Sequence, residues 1–136
     1  MAEKKNLPKI NEFGCTCQAS VLIVDDNPFN LIPLSVNLKE KHKLFSDLGE
    51  DGIEEVKMFK KNMEKTCCDF RYRLVLTYLN MPNLDGIQAA VQIFAYQEER
   101  RKNDPTYKFV PIVAVTAYED QETLSKCIEV GMATVL

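Results

Sequence analysis

The sequence predicts an α/β fold in which a parallel sheet is covered by helices on both faces. Short, nearly continuous apolar runs of strand length recur along the chain. Each run is followed by a segment in which apolar residues keep helical spacing, and this strand–helix unit occurs four times. Such alternation is typical of a parallel sheet with right-handed crossovers. No internal repeat or low-complexity tract competes with this interpretation.

Size and charge restrict the classes of function. The chain has 136 residues and a mass of 15.6 kDa, which is the size of one domain. Lys and Arg number 17 against 20 Asp and Glu, so the net charge of −3 argues against direct binding of nucleic acid. No apolar stretch approaches the ~20 residues of a membrane-spanning helix, and the polar start has no signal core. We therefore expect a cytoplasmic protein without membrane contact.

The first strand ends at an acidic pair. Residues 1–19 lack sustained periodicity and are predicted to be a flexible lead-in, and the predicted domain covers residues 20–136. Val21–Val24 is a buried-strand pattern. It stops abruptly at two adjacent carboxylates, Asp25 and Asp26.

Helix-start signals follow the acidic pair. Asn27 can cap a helix and Pro28 can take its first position. One face of this predicted helix carries Leu31, Leu34 and Leu38. Pro33 removes one backbone hydrogen bond, so it either kinks the helix or delays the helix start to about Leu31.

Three further strand–helix units are predicted. Their strands are a weak candidate at Lys43–Leu48, then the apolar run Leu74–Leu79 within Arg71–Leu79, and Val110–Val115. The apolar helix faces are predicted to carry Val56, Phe59 and Met63, then Ile87, Val91 and Phe94, then Leu124, Cys127 and Ile128. Gly131 is predicted to end the last helix, and residues 132–136 to begin a fifth strand.

Polar residues collect at the carboxyl ends of the predicted strands, which is where parallel sheets carry their chemistry. Asp25 and Asp26 follow the first strand, residues 78–80 end the third, and Thr116 follows the fourth. Adjacent carboxylates repel each other unless a cation lies between them, which indicates a Mg²⁺ site. Helix capping by the same carboxylates explains the pair equally well when it is taken alone.

Four separated motifs occur in order: Val21–Asn27, Asp51–Gly52, Asn80–Gly86 and Val110–Ala117. In these motifs the chain resembles the receiver domain of two-component and phosphorelay response regulators over roughly residues 20–136. The residues of the first and third motifs are most similar to those of receivers attached to hybrid sensor kinases. The resemblance implies a flavodoxin-like sheet with strand order 2-1-3-4-5.

The resemblance also implies a phosphotransfer site. In the family, an aspartate ending the third strand takes a phosphoryl group from a phosphohistidine. Mg²⁺ is held by the acidic pair, by that aspartate and by the backbone carbonyl two residues further on. The acidic pair corresponds to Asp25 and Asp26, the carbonyl to Asn80 and the acceptor to Tyr78.

Tyr78 therefore stands where the family has its acceptor aspartate. A phenol with a pKa of about 10 stays protonated at neutral pH and supplies no carboxylate nucleophile. Neither Asp69 nor Asp85 fits the acceptor geometry. We predict that the chain accepts no phosphoryl group, has no enzyme activity, binds Mg²⁺ only weakly and acts through contacts with proteins of a histidine kinase phosphorelay.

Further departures from the family lie near the carboxyl terminus. Thr116 matches the hydroxyl that contacts the phosphoryl group, whereas Val135 stands where the family has an aromatic residue. The family's Lys-Pro step and fifth helix would lie beyond Leu136, so the predicted domain is incomplete there. A missing helix could remove several kcal/mol from a stability of about 5–15 kcal/mol. We expect marginal stability or a dimer formed through exposed apolar surface.

Two other interpretations use the same fold. A flavin or nucleotide binder is disfavoured because the loop at Asp25 and Asp26 is acidic rather than a glycine- or hydroxyl-rich phosphate cradle. Alternatively, the chain is a variant or fragment of an ordinary phosphoaccepting receiver. In that case Tyr78→Asp in a longer chain is expected to restore labelling.

The sequence has five cysteines, an odd number without a secretory signal, so reduced thiols are expected. Cys15 with Cys17 and Cys67 with Cys68 form two close pairs, but neither pair has the ligand spacing of a zinc site. The pattern therefore favours a metal site only weakly, and redox sensing is a further alternative. Packing explains Cys127. The single histidine, His42, is predicted to lie on the surface.

Overall fold

The computed structural model describes residues 10–79, 84–115 and 121–135. The strands are β1 (Val21–Val24), β2 (Ser46–Gly49), β3 (Leu74–Tyr78), β4 (Ile112–Val115) and β5 (Thr134–Val135). The helices of the described residues are α1 (Pro28–His42), α2 (Gly52–Glu64), α3 (Gly86–Asn103) and α4 (Gln121–Glu129). All strand pairs are parallel, and the order β2-β1-β3-β4-β5 confirms the predicted topology. The lack of a further helix after β5 stays a prediction.

Two apolar layers bury the sheet on both faces. Val21 and Ile23 point to one face, where they pack with Leu31 of α1. Leu22 and Val24 point to the other face, where the core includes Phe59, Met63, Val75, Ala90, Ile93 and Ile112 from α2, α3 and the neighbouring strands. Successive side chains of β1 point to opposite faces of the sheet, and both faces are buried. The strand is therefore a continuous apolar run in the sequence. The prediction of helices on both faces is confirmed.

The first helix begins at Pro28, so the proposed later start at Leu31 is wrong. The side chain of Asn27 accepts a hydrogen bond of 2.9 Å from the Phe29 N–H and caps the helix. Pro33 lies inside the helix, where it removes one backbone donor without ending the helix. The predicted apolar face is confirmed, because Leu31 is buried and Leu34 and Leu38 pack beside it.

Aspartates cap the next two helices. Asp51 Oδ1 accepts from the Glu54 N–H at 2.8 Å, and Asp85 Oδ1 accepts from the Gln88 N–H at 2.8 Å. The Gln88 side chain accepts in return from the Asp85 N–H, which completes a capping box on α3. These caps fix the chain as it leaves β2 and as it enters α3.

The predicted face of α3 is partly wrong. Val91 is 48% exposed, and the buried residues are Gly86, Ala89, Ala90, Ile93 and Gln97. Gln97 can be buried because its Oε1 accepts from the Val110 N–H at 2.7 Å and its Nε2 donates to the Val110 carbonyl at 3.2 Å.

Smaller corrections concern the last helix and the strand bounds. Ile128 is 66% exposed, whereas Cys127 is buried in the core. The second and fourth predicted strands begin three and two residues earlier than β2 and β4, since those residues are still in the incoming loop. The third begins at Leu74 as predicted and ends one residue earlier, at Tyr78. Gly131, with a φ of +104°, confirms the predicted end of α4.

Residues 10–19 lie against the body of the domain. Ala19 is buried in the core. The rings of Phe13 and Phe70 meet edge to face with centroids 5.8 Å apart. The boundary between lead-in and domain predicted near residue 20 stays a prediction. Within the described ranges, no helix has the length and apolarity needed to cross a bilayer.

Candidate functional site

The carboxyl ends of β1 and β3 bring an acidic residue and a tyrosine together. Val24 pairs in register with Thr77, so Asp25 and Tyr78 leave adjacent strands at the same level of the sheet. Asp26 follows on the surface. Two other predicted site residues, Asn80 and Thr116, lie outside the described residues. The structure therefore places three of the five predicted site residues at one edge.

Asp25 is held by the turn that leads into α1. Its side chain is 3% exposed. Oδ1 accepts from the Asn27 N–H at 3.1 Å and Oδ2 accepts from Asn30 Nδ2 at 2.7 Å. Burial raises the pKa of Asp25, the two hydrogen bonds oppose that rise, and the neighbouring Asp26 adds to it. The carboxylate is fixed in position at an electrostatic cost.

The donor chemistry of the acidic pair suits magnesium. Asn27 provides the N-cap of α1, so capping does not account for Asp25 and Asp26. Mg²⁺ prefers oxygen ligands and is commonly held by one or two carboxylates together with waters. A cation between these two carboxylates would offset the repulsion that contributes to the raised pKa of Asp25. The residues at this edge fit a weakly held, largely hydrated Mg²⁺.

Tyr78 is the last residue of β3, and its side chain is half-buried. Its pKa is raised first by burial and then by the negative charge of Asp25, which places the phenol within electrostatic reach of that carboxylate. A phenol with a pKa above 10 is neutral at physiological pH. Tyr78 therefore brings a neutral hydroxyl to the acidic edge.

Glu55, a buried carboxyl group beneath this edge, was not predicted from the sequence. Thr77 Oγ1 donates to Glu55 Oε1 at 2.6 Å, and both side chains are fully buried. Glu55 Oε2 has no hydrogen-bond partner among the described residues. Burial raises the pKa of Glu55 to about 8, and the Thr77 bond opposes the rise. One signal could have found it, because Glu55 lies four residues before Phe59 on the apolar face of α2.

The opposite edge of the sheet collects four thiols. Cys15 and Cys17 precede β1, and Cys67 and Cys68 lie in the loop before β3. Their sulfur atoms all lie within 4.8 Å of one another. The spacing argument considered each pair alone, whereas the pairing of β1 with β3 brings the two pairs together. Cys127 packs in the core as predicted, and His42 is on the surface as predicted.

Comparison with known proteins identifies the family of the chain. The family model of the response regulator receiver domain matches residues 21–136. The "Hybrid signal transduction histidine kinase B" of Dictyostelium discoideum is 32% identical over 115 residues, which are 82% of this chain and 5% of that protein. The chain thus spans a small part of this curated relative.

Two solved structures are similar as well. One is a chain of the co-crystal structure of the Saccharomyces cerevisiae histidine phosphotransfer signaling protein Ypd1 and the receiver domain of its downstream response regulator Ssk1. It has a TM-score of 0.73 and 30% identity over 88% of this chain and 77% of that one. The receiver domain of sensor histidine kinase PA1611 from Pseudomonas aeruginosa PAO1, solved with a magnesium ion in the active site cleft, has a TM-score of 0.66 and 29% identity. The match covers 88% of this chain and 84% of that one.

These matches agree with the parallel sheet and its strand order. This chain belongs to the response regulator receiver domain family.

Proposed function

We propose that this chain is a receiver module of a cytoplasmic phosphorelay that accepts no phosphoryl group and acts through protein–protein contacts. The single observation that carries the proposal is the placement of Tyr78. It ends β3 within electrostatic reach of Asp25. We propose that this is the position of the family's acceptor aspartate.

The chemical reason is the protonation state of the nucleophile. An acceptor carboxylate is ionised at neutral pH and attacks phosphorus without first losing a proton. The neutral phenol of Tyr78 must lose one, and the negative charge of Asp25 together with burial makes that loss harder. We therefore expect Tyr78 to be inert toward phosphoryl donors.

We further propose that Asp25, Asp26 and the backbone carbonyl of Asn80 hold Mg²⁺ weakly. When bound, the ion would neutralise charge at the acidic edge. Tyr78 contributes no anionic ligand, which leaves the two carboxylates as the charged part of the donor set. Thr116 is proposed to keep the position of the family's phosphoryl-contacting hydroxyl without a phosphoryl group to contact.

Helix α1 offers a surface for a protein partner. Phe29, Ile32 and Val36 share its outer face and are 84%, 56% and 51% exposed. The face opposite to them is the one that packs on the sheet. Exposed apolar side chains grouped beside an acidic edge are typical of an interaction site. Because a similar receiver structure contains a histidine phosphotransfer protein, we propose a protein of that class as the partner. A second copy of this chain is the alternative occupant.

Phosphoryl acceptance is tested by intact mass after incubation with Mg²⁺ and acetyl phosphate. We expect no change for the wild type or for Tyr78→Phe. A gain of one phosphoryl group by the wild type would contradict the proposal, and peptide mapping would then identify the acceptor. Loss of the added group in Asp25→Asn would identify Asp25 as the residue that had taken over.

Partner binding is tested with Ypd1 as the probe and with Ile32→Gln as the variant. Truncating an apolar anchor typically weakens binding by about tenfold or more. Val91→Gln is the matched control, since Val91 is similarly exposed but lies on α3. Equal binding by both variants would exclude the α1 surface, and self-association of the wild type in sedimentation would favour the dimer instead.

A further inference from the structure

The four clustered thiols have the dimensions of a tetrahedral metal site. Cys17 Sγ lies 3.7 Å from Cys67 Sγ, and Cys67 Sγ lies 3.8 Å from Cys68 Sγ. A tetrahedral zinc ion with Zn–S bonds of about 2.3 Å separates its sulfur ligands by about 3.8 Å. The sulfur of Cys15 lies within 4.8 Å of each of these three sulfurs. All four cysteines are free thiols in the structure, and one central ion can bind all four sulfurs.

The first ligand segment is shaped by Asn11. Its Oδ1 accepts from the Phe13 N–H at 2.8 Å and its Nδ2 donates to the Cys17 carbonyl at 2.7 Å. The same Nδ2 lies 3.2 Å from Cys15 Sγ. A left-handed Gly14, with a φ of +84°, lets the chain turn between the two cysteines and Asn11. Asn11 therefore positions both sulfurs of this segment and offers an N–H to one of them.

The second ligand segment is held by Arg71. Its guanidinium donates to the carbonyls of Lys65 at 2.8 Å and of Cys68 at 2.7 Å. These bonds close the loop that carries Cys67 and Cys68. The Phe13–Phe70 ring contact joins this loop to the first segment. Two separate segments are thus held together by contacts that do not involve sulfur.

Positively charged side chains lie close to the cluster. Cys17 and Cys67 line a cleft of about 550 Å³, and Lys61 and Lys65 line the same cleft. A divalent ion with four thiolates carries a net negative charge, which these two lysines would offset.

We propose that Cys15, Cys17, Cys67 and Cys68 form a structural binding site for one Zn²⁺ ion at the amino-terminal edge of the sheet. Four thiolate ligands leave no open coordination position, which is typical of structural rather than catalytic zinc. On binding, each thiol releases its proton to solvent as its sulfur bonds to the metal. The ion would fasten the segment before β1 to the loop before β3. This site is independent of phosphoryl acceptance.

The test is a titration of the reduced, metal-free chain with Co²⁺, followed by Zn²⁺. We expect one Co²⁺ per chain with the intense visible absorption of a tetrahedral thiolate complex, and stoichiometric displacement by one Zn²⁺. Cys67→Ser, at an exposed position, and Cys17→Ser are each expected to weaken Zn²⁺ binding by at least tenfold. Cys127→Ala keeps all four proposed ligands and is the matched control. Asn11→Ala is expected to weaken binding about 10–100-fold through loss of positioning.

Absence of the thiolate absorption in the folded wild type would overturn the proposal, whatever the variants do. Equal Zn²⁺ affinity in Cys67→Ser and the wild type, with folding verified by circular dichroism, would overturn it too. Thiol counting provides a further check. Loss of two free thiols on mild oxidation, undiminished by an equivalent of Zn²⁺, would assign the cluster to a disulfide instead.

Discussion

The two edges of this sheet use the same topology for different chemistry. At the carboxyl edge, β1 and β3 bring together the oxygen groups of Asp25 and Tyr78. At the amino edge, the segments that precede the same two strands bring together four sulfur atoms. For the first edge we propose a receiver site in which the nucleophile is replaced. For the second we propose a metal site made of the four thiols.

This difference teaches that strand order determines which residues meet, whereas side-chain chemistry determines what they can do. The carboxyl edge keeps its geometry, since Asp25 is still anchored by Asn27 and Asn30. Tyr78, at the position proposed for the acceptor, nevertheless offers a neutral phenol rather than an ionised carboxylate. The amino edge shows the converse, because cysteines with unpromising spacing become neighbours through the fold.

The largest expected effect concerns the buried acid beneath the carboxyl edge. Glu55 has a folded pKa of about 8 against an ordinary value of 4.5, so between these pH values the folded protein retains a proton that the unfolded chain releases. The free energy of unfolding therefore falls as pH rises through this window, by at most about 1.4 kcal/mol per pH unit. We expect Glu55→Gln to flatten this dependence and to be more stable than the wild type at pH 8 and above.

Urea unfolding at a series of pH values between 5 and 9 measures the effect. Glu50→Gln is the control, since Glu50 is an exposed carboxylate near the start of the same helix. The control is expected to keep the pH dependence of the wild type. Parallel curves for the wild type and Glu55→Gln would show that Glu55 is ionised in the folded protein.

A second comparison concerns the cost in stability of replacing one glycine at each edge, Gly86 at the carboxyl edge and Gly14 at the amino edge. A Cβ on Gly86 would lie 2.6 Å from the Tyr78 carbonyl oxygen, a backbone atom that cannot move aside. We expect Gly86→Ala to destabilise the fold by about 3 kcal/mol. Gly14 has no atom within 4 Å of such a Cβ, so Gly14→Ala should cost only the strain of its left-handed backbone, about 1 kcal/mol. Equal losses in denaturant unfolding would refute this ranking of the two edges.

The smallest of these effects is expected beside the thiols. Tyr72 donates its hydroxyl to Asp47 Oδ2 at 2.5 Å, and burial together with this bond raises the pKa of Tyr72. Tyr72→Phe should lower the free energy of unfolding by about 1 kcal/mol, since Asp47 is exposed and regains water. Asp47→Asn keeps an oxygen acceptor and should lose less. Thermal unfolding of the two variants measures the difference, and a larger loss for Asp47→Asn would be inconsistent with this hydrogen bond.

The sequence predicted the fold more completely than it predicted the sites. Apolar runs and helical periodicity located the strands and helices that the described residues form, because the continuous burial of β1 and the cap at Asn27 leave local signals. The sequence also located the acidic edge, since Asp25 directly follows a strand. It could not locate the thiol cluster, whose two halves lie 50 residues apart from Cys17 to Cys67. It missed Gln97 and Glu55 as buried groups, because their burial depends on partners distant in sequence, namely the backbone of Val110 before β4 and Thr77 in β3.

The most direct test of the central claim is one incubation that contains the wild type and Tyr78→Asp together, with Mg²⁺ and acetyl phosphate. The two chains differ in mass, so intact mass spectrometry reports both from the same solution. We predict that only Tyr78→Asp gains a phosphoryl group, because it alone offers a carboxylate beside Asp25. A phosphoryl group on the wild type would contradict the account. Labelling of neither chain would show that the acidic edge has lost more than its acceptor.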